Sequence, residues 1–345
     1  MKHVCISGKY ETETKYIYTR KENRRSRQII IPGVPARRDT VMPRAVRTVL
    51  HALSYGGIEV DASRKLADIK KMDPMRIFYK TLDAEVYNGD YKVPIRLFFP
   101  TEEAMENGAA SGKKPPVILF FHGGGWVTES VENYQRVCAR MAQSTGQIVA
   151  SVEYRLAPEY RFPVGLMDCY AAAKAFYTNC FLLNTDSDRI TIMGDSAGGN
   201  LAAAVCMMAR DRGEFYPKKQ ILIYPALNNC YTEKSPFESV KTNGTGYLLT
   251  AEKMEDYLKL YESCPEDRNN PYFAPILEKD LRNMPDTLIL TAEFDPLRDE
   301  GEAFGERLKA AGNRVEVHRI AGAFHGYFAL GIKFLHVQEL SLIHI

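Results

Sequence analysis

The segment Ile190-Thr191-Ile192-Met193-Gly194-Asp195-Ser196-Ala197-Gly198-Gly199-Asn200 limits the fold of this chain more than any other. A short β-branched apolar run leads into Gly-x-Ser-x-Gly, and a small-residue stretch, Leu201 to Ala209, continues as a helical pattern. Joining a strand to a helix through so few residues forces the serine into a strained turn. Its hydroxyl is then exposed at the carboxyl edge of a sheet, where a base can reach it.

Upstream, Val117-Ile118-Leu119-Phe120-Phe121 is the continuous apolar run of a central strand covered on both faces. It ends in His122-Gly123-Gly124-Gly125-Trp126. Three successive glycines are entropically costly to order, so the site calls for bare backbone there. The N–H groups of Gly123 and Gly124, with that of Ala197 after the serine, are the expected donors to a developing oxyanion.

A serine nucleophile needs a base, and the base needs an orienting acid. Behind such an elbow the chain order is Ser, then Asp or Glu, then His. The histidines after Ser196 are His318, His325, His336 and His344. His318 sits inside the alternating run Arg314 to Ile320 and reads as a half-exposed strand residue. His336 and His344 fall in a terminal helix and tail. His325 follows the strand in Ala321-Gly322-Ala323-Phe324-His325-Gly326, where a catalytic base belongs. The strand Thr287 to Glu293 is followed by Phe294-Asp295-Pro296-Leu297-Arg298-Asp299. Asp295 is the expected acid, because Pro296 ends ladder pairing there. Asp299 reads as a helix cap or supporting group, and Glu293 is the close rival.

Gly194-Asp195-Ser196-Ala197-Gly198-Gly199, His122-Gly123-Gly124-Gly125 and Tyr154-Arg155-Leu156-Ala157-Pro158-Glu159 together resemble the hormone-sensitive-lipase-like family of α/β-hydrolases (bacterial type IV esterases, Gly-Asp-Ser-Ala-Gly subgroup). Asp295-Pro296-Leu297-Arg298-Asp299 and His325-Gly326 match its acid and base blocks, and the matching blocks span about residues 80 to 330. The resemblance implies an α/β-hydrolase fold with a helical cap, and a carboxylesterase acting on small ester molecules with no cofactor or metal. The expected substrates are short- to medium-chain acyl esters. An amidase or deacetylase of aryl amides or acetylated small molecules would use the same residues. A non-catalytic small-ligand receptor would have lost a triad member, whereas Ser196, Asp295 and His325 are all present. A true interfacial lipase would want a long apolar lid, which the sequence lacks.

The alternation of strands and helices predicts a mostly parallel sheet with helices on both faces. The strands are read at Val117–Phe121, Ile148–Glu153, Ile190–Gly194, Gln220–Tyr224, Thr287–Glu293 and Val315–Ile320. The helices are read at Glu132–Ser144, Leu166–Thr178, Ala197–Arg212 and Asp299–Ala311, the last closed by Gly312. A hairpin, Lys80–Val86 and Lys92–Phe98 around Asn88-Gly89-Asp90, opens the catalytic domain. Thr101 to Lys114 reads as a polar loop. The domain boundaries follow: residues 1–76 form an N-terminal cap segment, with helices near Pro43–Tyr55 and Asp61–Lys71. Residues 77–337 form the catalytic domain, and a cap insertion at about 226–284 carries a helix near Ala251–Glu262. Trp126, Tyr247, Tyr257 and Phe273 read as pocket or core aromatics. The Gly-x-Gly at Gly244–Gly246 lacks the partners of a phosphate loop.

The formal net charge of +2 implies no strong electrostatic partner. The basic cluster Arg20 to Arg27 reads as a solvated face rather than a nucleic-acid site. No apolar run reaches ~18 residues, and the N-terminus lacks an apolar signal region, so membrane insertion is not expected. Seven scattered cysteines without a Cys-x-x-Cys pair argue against a disulfide framework and for a reducing, cytoplasmic setting. The sequon Asn243-Gly244-Thr245 is read as a chance match, and a homodimer is left open. Two departures from the family stand out. Glu153 replaces an expected Asp before Tyr154, and only twenty residues follow His325, ending in an apolar stretch that makes 338–345 read as a non-native tail.

Overall fold

The computed structural model describes residues 60–68, 79–106, 114–179 and 183–329, with Thr48, Leu50, His51 and Ser54 before them. The basic cluster, Cys5, Cys180, His336, His344, the tail and most of the Pro43–Tyr55 helix lie outside the described residues. Of that helix, the four described positions are helical.

Eight strands form one sheet in the order β1-β2-β4-β3-β5-β6-β7-β8. These are β1 (Thr81–Asn88), β2 (Tyr91–Phe98), β3 (Val117–Phe121), β4 (Ile148–Val152), β5 (Ile190–Asp195), β6 (Lys219–Ile223), β7 (Asp286–Phe294) and β8 (Val315–Phe324). The hairpin β1–β2 joins β4 antiparallel, and every later pairing is parallel. All five residues of β3 are buried, as expected of a strand covered on both sides. Alternate residues feed two cores. Val117, Leu119 and Phe121 face a large cluster that includes Leu166, Leu201, Val205 and Phe304. Ile118 and Phe120 face a second cluster with Val131, Tyr134 and Cys138.

The helices are therefore split between the faces. They are α1 (Val60–Asp68), α2 (Glu102–Glu106), α3 (Val131–Thr145), α4 (Val164–Thr178), α5 (Ala197–Arg212), α6 (Glu238–Thr242), α7 (Ala251–Tyr261) and α8 (Arg298–Ala310). Ser130 caps α3 by accepting the Asn133 N–H, and Gly146 closes it in the left-handed region. Thr250 caps α7 in the same way through Lys253.

The structure adds details that the sequence reading lacks. A short helix, α2, forms in the stretch read as a polar loop, where Thr101 Oγ1 accepts the Ala104 N–H. Strand β8 runs on to Phe324, because Gly322 adopts φ +72° at a register shift opposite Ala292 and Phe294. The extra residues are absorbed as a bulge, and His325 emerges directly from the strand. Glu153 accepts the Val131 N–H at 2.7 Å, satisfying an orphan donor at the start of α3.

Candidate active site

In a parallel sheet the carboxyl ends of the strands share one edge, and ligands bind there. Four strands deliver the expected residues to that edge: β3 ends before His122, β5 before Ser196, β7 before Asp295 and β8 before His325.

Ser196 adopts φ 56° and ψ −119°, a strained conformation for a residue with a side chain. Its surroundings enforce the turn. The Ser196 N–H donates to Ile223 O, and Ser196 O accepts from Asn200 and Ala226. A Cβ on Gly198 would run into the Phe121 and His122 carbonyls of the neighbouring strand end, so the helix approaches β3 only with glycine there.

The Ser196 hydroxyl lies 2.9 Å from His325 Nε2, and His325 Nδ1 lies 2.7 Å from Asp295 Oδ2. A carboxylate only accepts, so Nδ1 carries the proton and Nε2 presents its lone pair to the serine. Asp295 is itself fixed. Its Oδ1 accepts the Leu297 N–H at 2.9 Å, and its carbonyl oxygen accepts from Arg298 and from Asn243 Nδ2.

The two rivals serve elsewhere. Glu293 accepts the Gly322 N–H at the β8 bulge, and Asp299 accepts the Ser239 N–H at 2.7 Å. His318 lies within β8, 3.3 Å from Glu316. The nitrogen of the Asn243 sequon is occupied, donating to Glu293 O as well as Asp295 O.

The glycine loop is fixed one peptide at a time. The His122 carbonyl accepts from Tyr154 Oη at 2.8 Å, while the Gly123 N–H of that same peptide donates to Asp195 Oδ1 at 2.8 Å. The Gly123 carbonyl accepts from His122 Nδ1 at 2.7 Å. The Gly124 carbonyl accepts from the Val127 and Thr128 N–H groups and from Thr128 Oγ1. Because the second and third peptides are held by their oxygens, the Gly124 and Gly125 N–H groups point the other way. They have no acceptor among the described residues, and neither does the N–H of Ala197 at the first position of α5. Gly124 has φ +109°, and a Cβ there would strike the Thr128 carbonyl.

This corrects one expectation. Gly123 cannot serve an oxyanion while its N–H is spent on a buried carboxyl, so the open donors are Gly124, Gly125 and Ala197.

Asp195 is the residue that the sequence reading missed. It is fully buried and accepts from Tyr134 Oη at 2.9 Å and Tyr224 Oη at 3.2 Å, besides Gly123. Burial pushes its carboxyl up to about 6, against the Tyr134 hydrogen bond, the nearby His122 and the Gly123 amide. The signal was available. In β5, Ile190 and Ile192 face one core and Met193 the other, so Asp195 shares the inner face of Met193.

Of the aromatics, Trp126 and Phe273 are core residues, stacked with Tyr261 at 4.6 and 5.1 Å. The Tyr257 ring lies against Gly125, and Tyr247 stacks on Phe294 beside the acid.

Comparison with known proteins gives the family to which the chain belongs. Residues 118–329 match the model of a family described by its alpha/beta hydrolase fold. An arylesterase of Saccharolobus solfataricus is 35% identical over 72% of this chain and 77% of its own length. An ethyl acetate hydrolase of Pseudomonas putida is 34% identical over 70% and 73%. The solved hyperthermophilic esterase of Pyrobaculum calidifontis superposes with a TM-score of 0.75 at 36% identity, over 86% of this chain and 94% of that one. The chain belongs to the α/β-hydrolase fold family, among esterases in keeping with the hormone-sensitive-lipase-like branch that its motifs resemble.

Proposed function

We propose that this chain is a serine carboxylesterase that hydrolyses short- to medium-chain acyl esters through an acyl-enzyme intermediate. The observation that carries the proposal is the unbroken line from Ser196 Oγ through His325 to Asp295, mounted on a strained elbow. The esterase names of the relatives favour the same reading.

His325 Nε2 takes the serine proton as Oγ attacks the ester carbonyl. The tetrahedral oxyanion sits against the Gly124, Gly125 and Ala197 N–H groups, which need no reorganisation because their peptides are already fixed. The imidazolium, stabilised by Asp295, returns its proton to the leaving alcohol, and water then attacks the acyl-enzyme with the roles reversed.

The insertion at about 226–284 and the N-terminal helices act as a cap that shapes the acyl and alcohol sites. No disulfide joins Cys138, Cys169, Cys206, Cys230 or Cys264, which suits a cytoplasmic setting.

Hydrolysis of p-nitrophenyl esters from acetate to palmitate tests the proposal, with Ser196→Ala alongside. Turnover of the short esters should fall by roughly 10,000-fold or more in the variant. Turnover that survives the substitution would remove Ser196 from the chemistry.

A further inference from the structure

We propose that Arg64 is a positioning residue that fastens helix α1 to the rim of the catalytic site and thereby sets how tightly an ester is held. The proposal rests on the esterase reading above.

Val60, at the start of α1, packs on the main core, and Arg64 lies one turn further on, on the same face. Its guanidinium makes four hydrogen bonds to two separate loops. Nε donates to Val127 O at 3.0 Å and Nη2 to Ala157 O at 2.9 Å. Nη1 and Nη2 also meet the two Glu159 carboxylate oxygens, each at 2.8 Å. A planar fork with fixed donors suits such a set, and an ammonium does not.

The loop has little need of this grip. The Gly124 carbonyl already takes three donors from Val127 and Thr128, and the Ala157 N–H already donates to Trp126 O at 2.9 Å. A half-exposed ion pair alone contributes little. Here the carboxylate is joined by two carbonyls that fix the direction from which α1 approaches.

A second anchor ties Leu50 and Ser54 to the segments that carry Asp295 and His325. Leu50 is buried with Phe324, against Tyr247, Leu248 and Phe294, and Ser54 Oγ accepts the Leu248 N–H at 3.0 Å. Phe294 and Phe324 directly precede Asp295 and His325. The N-terminal region thus touches the acid–base side at Leu50 and Ser54 and the glycine-loop side at Arg64. A region that borders the site without supplying a reacting group bears on bound ester and transition state alike, which is uniform binding. Losing the grip should raise KM and leave kcat nearly unchanged.

The test compares Arg64→Ala, Arg64→Lys and Glu159→Gln in the full chain. It measures kcat and KM for p-nitrophenyl butyrate, and the rate of chymotrypsin cleavage before residue 80. Arg64→Ala should raise KM about tenfold, keep kcat within about twofold and speed cleavage. Lysine should fail to restore KM, and Glu159→Gln should give a smaller rise because both carbonyl contacts remain.

Unchanged KM and cleavage in Arg64→Ala would overturn the proposal. So would a fall in kcat at constant KM, which would place the effect on the oxyanion donors. If Arg64→Ala fails to fold, Glu159→Gln decides by the same two readouts. Absence of ester turnover by the wild type counts against the esterase reading instead, and the cleavage comparison then judges the Arg64 contact alone.

Discussion

Two loops leave the carboxyl edge of the sheet, and each is held at its root by one buried carboxyl group. Asp195 holds the glycine loop after β3, and Glu300 of α8 holds the start of the long connection after β6. The two groups are satisfied differently. Asp195 uses both oxygens, Oδ1 for the Gly123 amide and Oδ2 for two tyrosine hydroxyls. Glu300 gathers the Leu227 N–H, the Asn228 N–H and Tyr231 Oη on Oε1, while Oε2 has no partner among the described residues. Burial pushes Glu300 up to about 8, with nearby Asp295 adding to the shift and its three hydrogen bonds opposing it. Asp195 reaches only about 6. Asp195 is thus the more readily ionised of the two, and burial holds the proton on Glu300 to higher pH. The glycine loop is tied by a fully engaged acceptor, and the connection after β6 by a half-engaged one.

Breaking the glycine loop should have the largest effect. Gly124→Ala puts a Cβ on a residue at φ +109° and against the Thr128 carbonyl, so the peptide must turn and its donor is lost. kcat should fall by roughly 100- to 1,000-fold, as measured on p-nitrophenyl butyrate with the melting curve taken in parallel. A variant that keeps its rate would show that Gly124 does not face the oxyanion.

Asp195 comes next. Asp195→Ala frees the Gly123 amide and both tyrosines, and should lower kcat by roughly tenfold or more, short of the loss of a whole donor. Asp195→Asn keeps an acceptor for Gly123 and should restore most of that rate. Equal damage from both variants would mean that the charge, rather than the hydrogen bond, holds the loop.

The smallest effect sharpens the comparison through pH. A carboxyl whose folded pKa is raised gives up stability as pH rises from its unfolded value through its folded one. For Glu300 that window runs from about 4.5 to about 8. Glu300→Gln removes the slope, so its melting temperature relative to wild type should climb steadily between pH 5 and pH 9. A constant difference across that range would show that Glu300 does not titrate there.

The sheet and the Ser196–His325–Asp295 line were legible because each of these side chains follows a strand whose apolar run is plain in the sequence. Ser196, Asp295 and His325 needed only the strand ends to be found. The donor set was harder. Gly123, Gly124 and Gly125 are indistinguishable as letters, and which N–H stays open depends on what holds each carbonyl. That is decided by Asp195, Tyr154, His122 and Thr128, from three separate elements. The bulge at Gly322 was hidden for a similar reason: it depends on the register between β7 and β8, which alternation within one strand does not encode. Arg64 could not be foreseen at all, since its four acceptors lie 63 to 95 residues away.

The most direct test of the central claim is titration with a p-nitrophenyl alkylphosphonate, which a serine activated by this histidine attacks once and does not release. The account predicts one p-nitrophenol released per chain and a phosphonyl group on Ser196 by peptide mass spectrometry. It predicts no appreciable burst from a folded His325→Gln variant. Labelling at another residue, or an equally fast burst without His325, would contradict it.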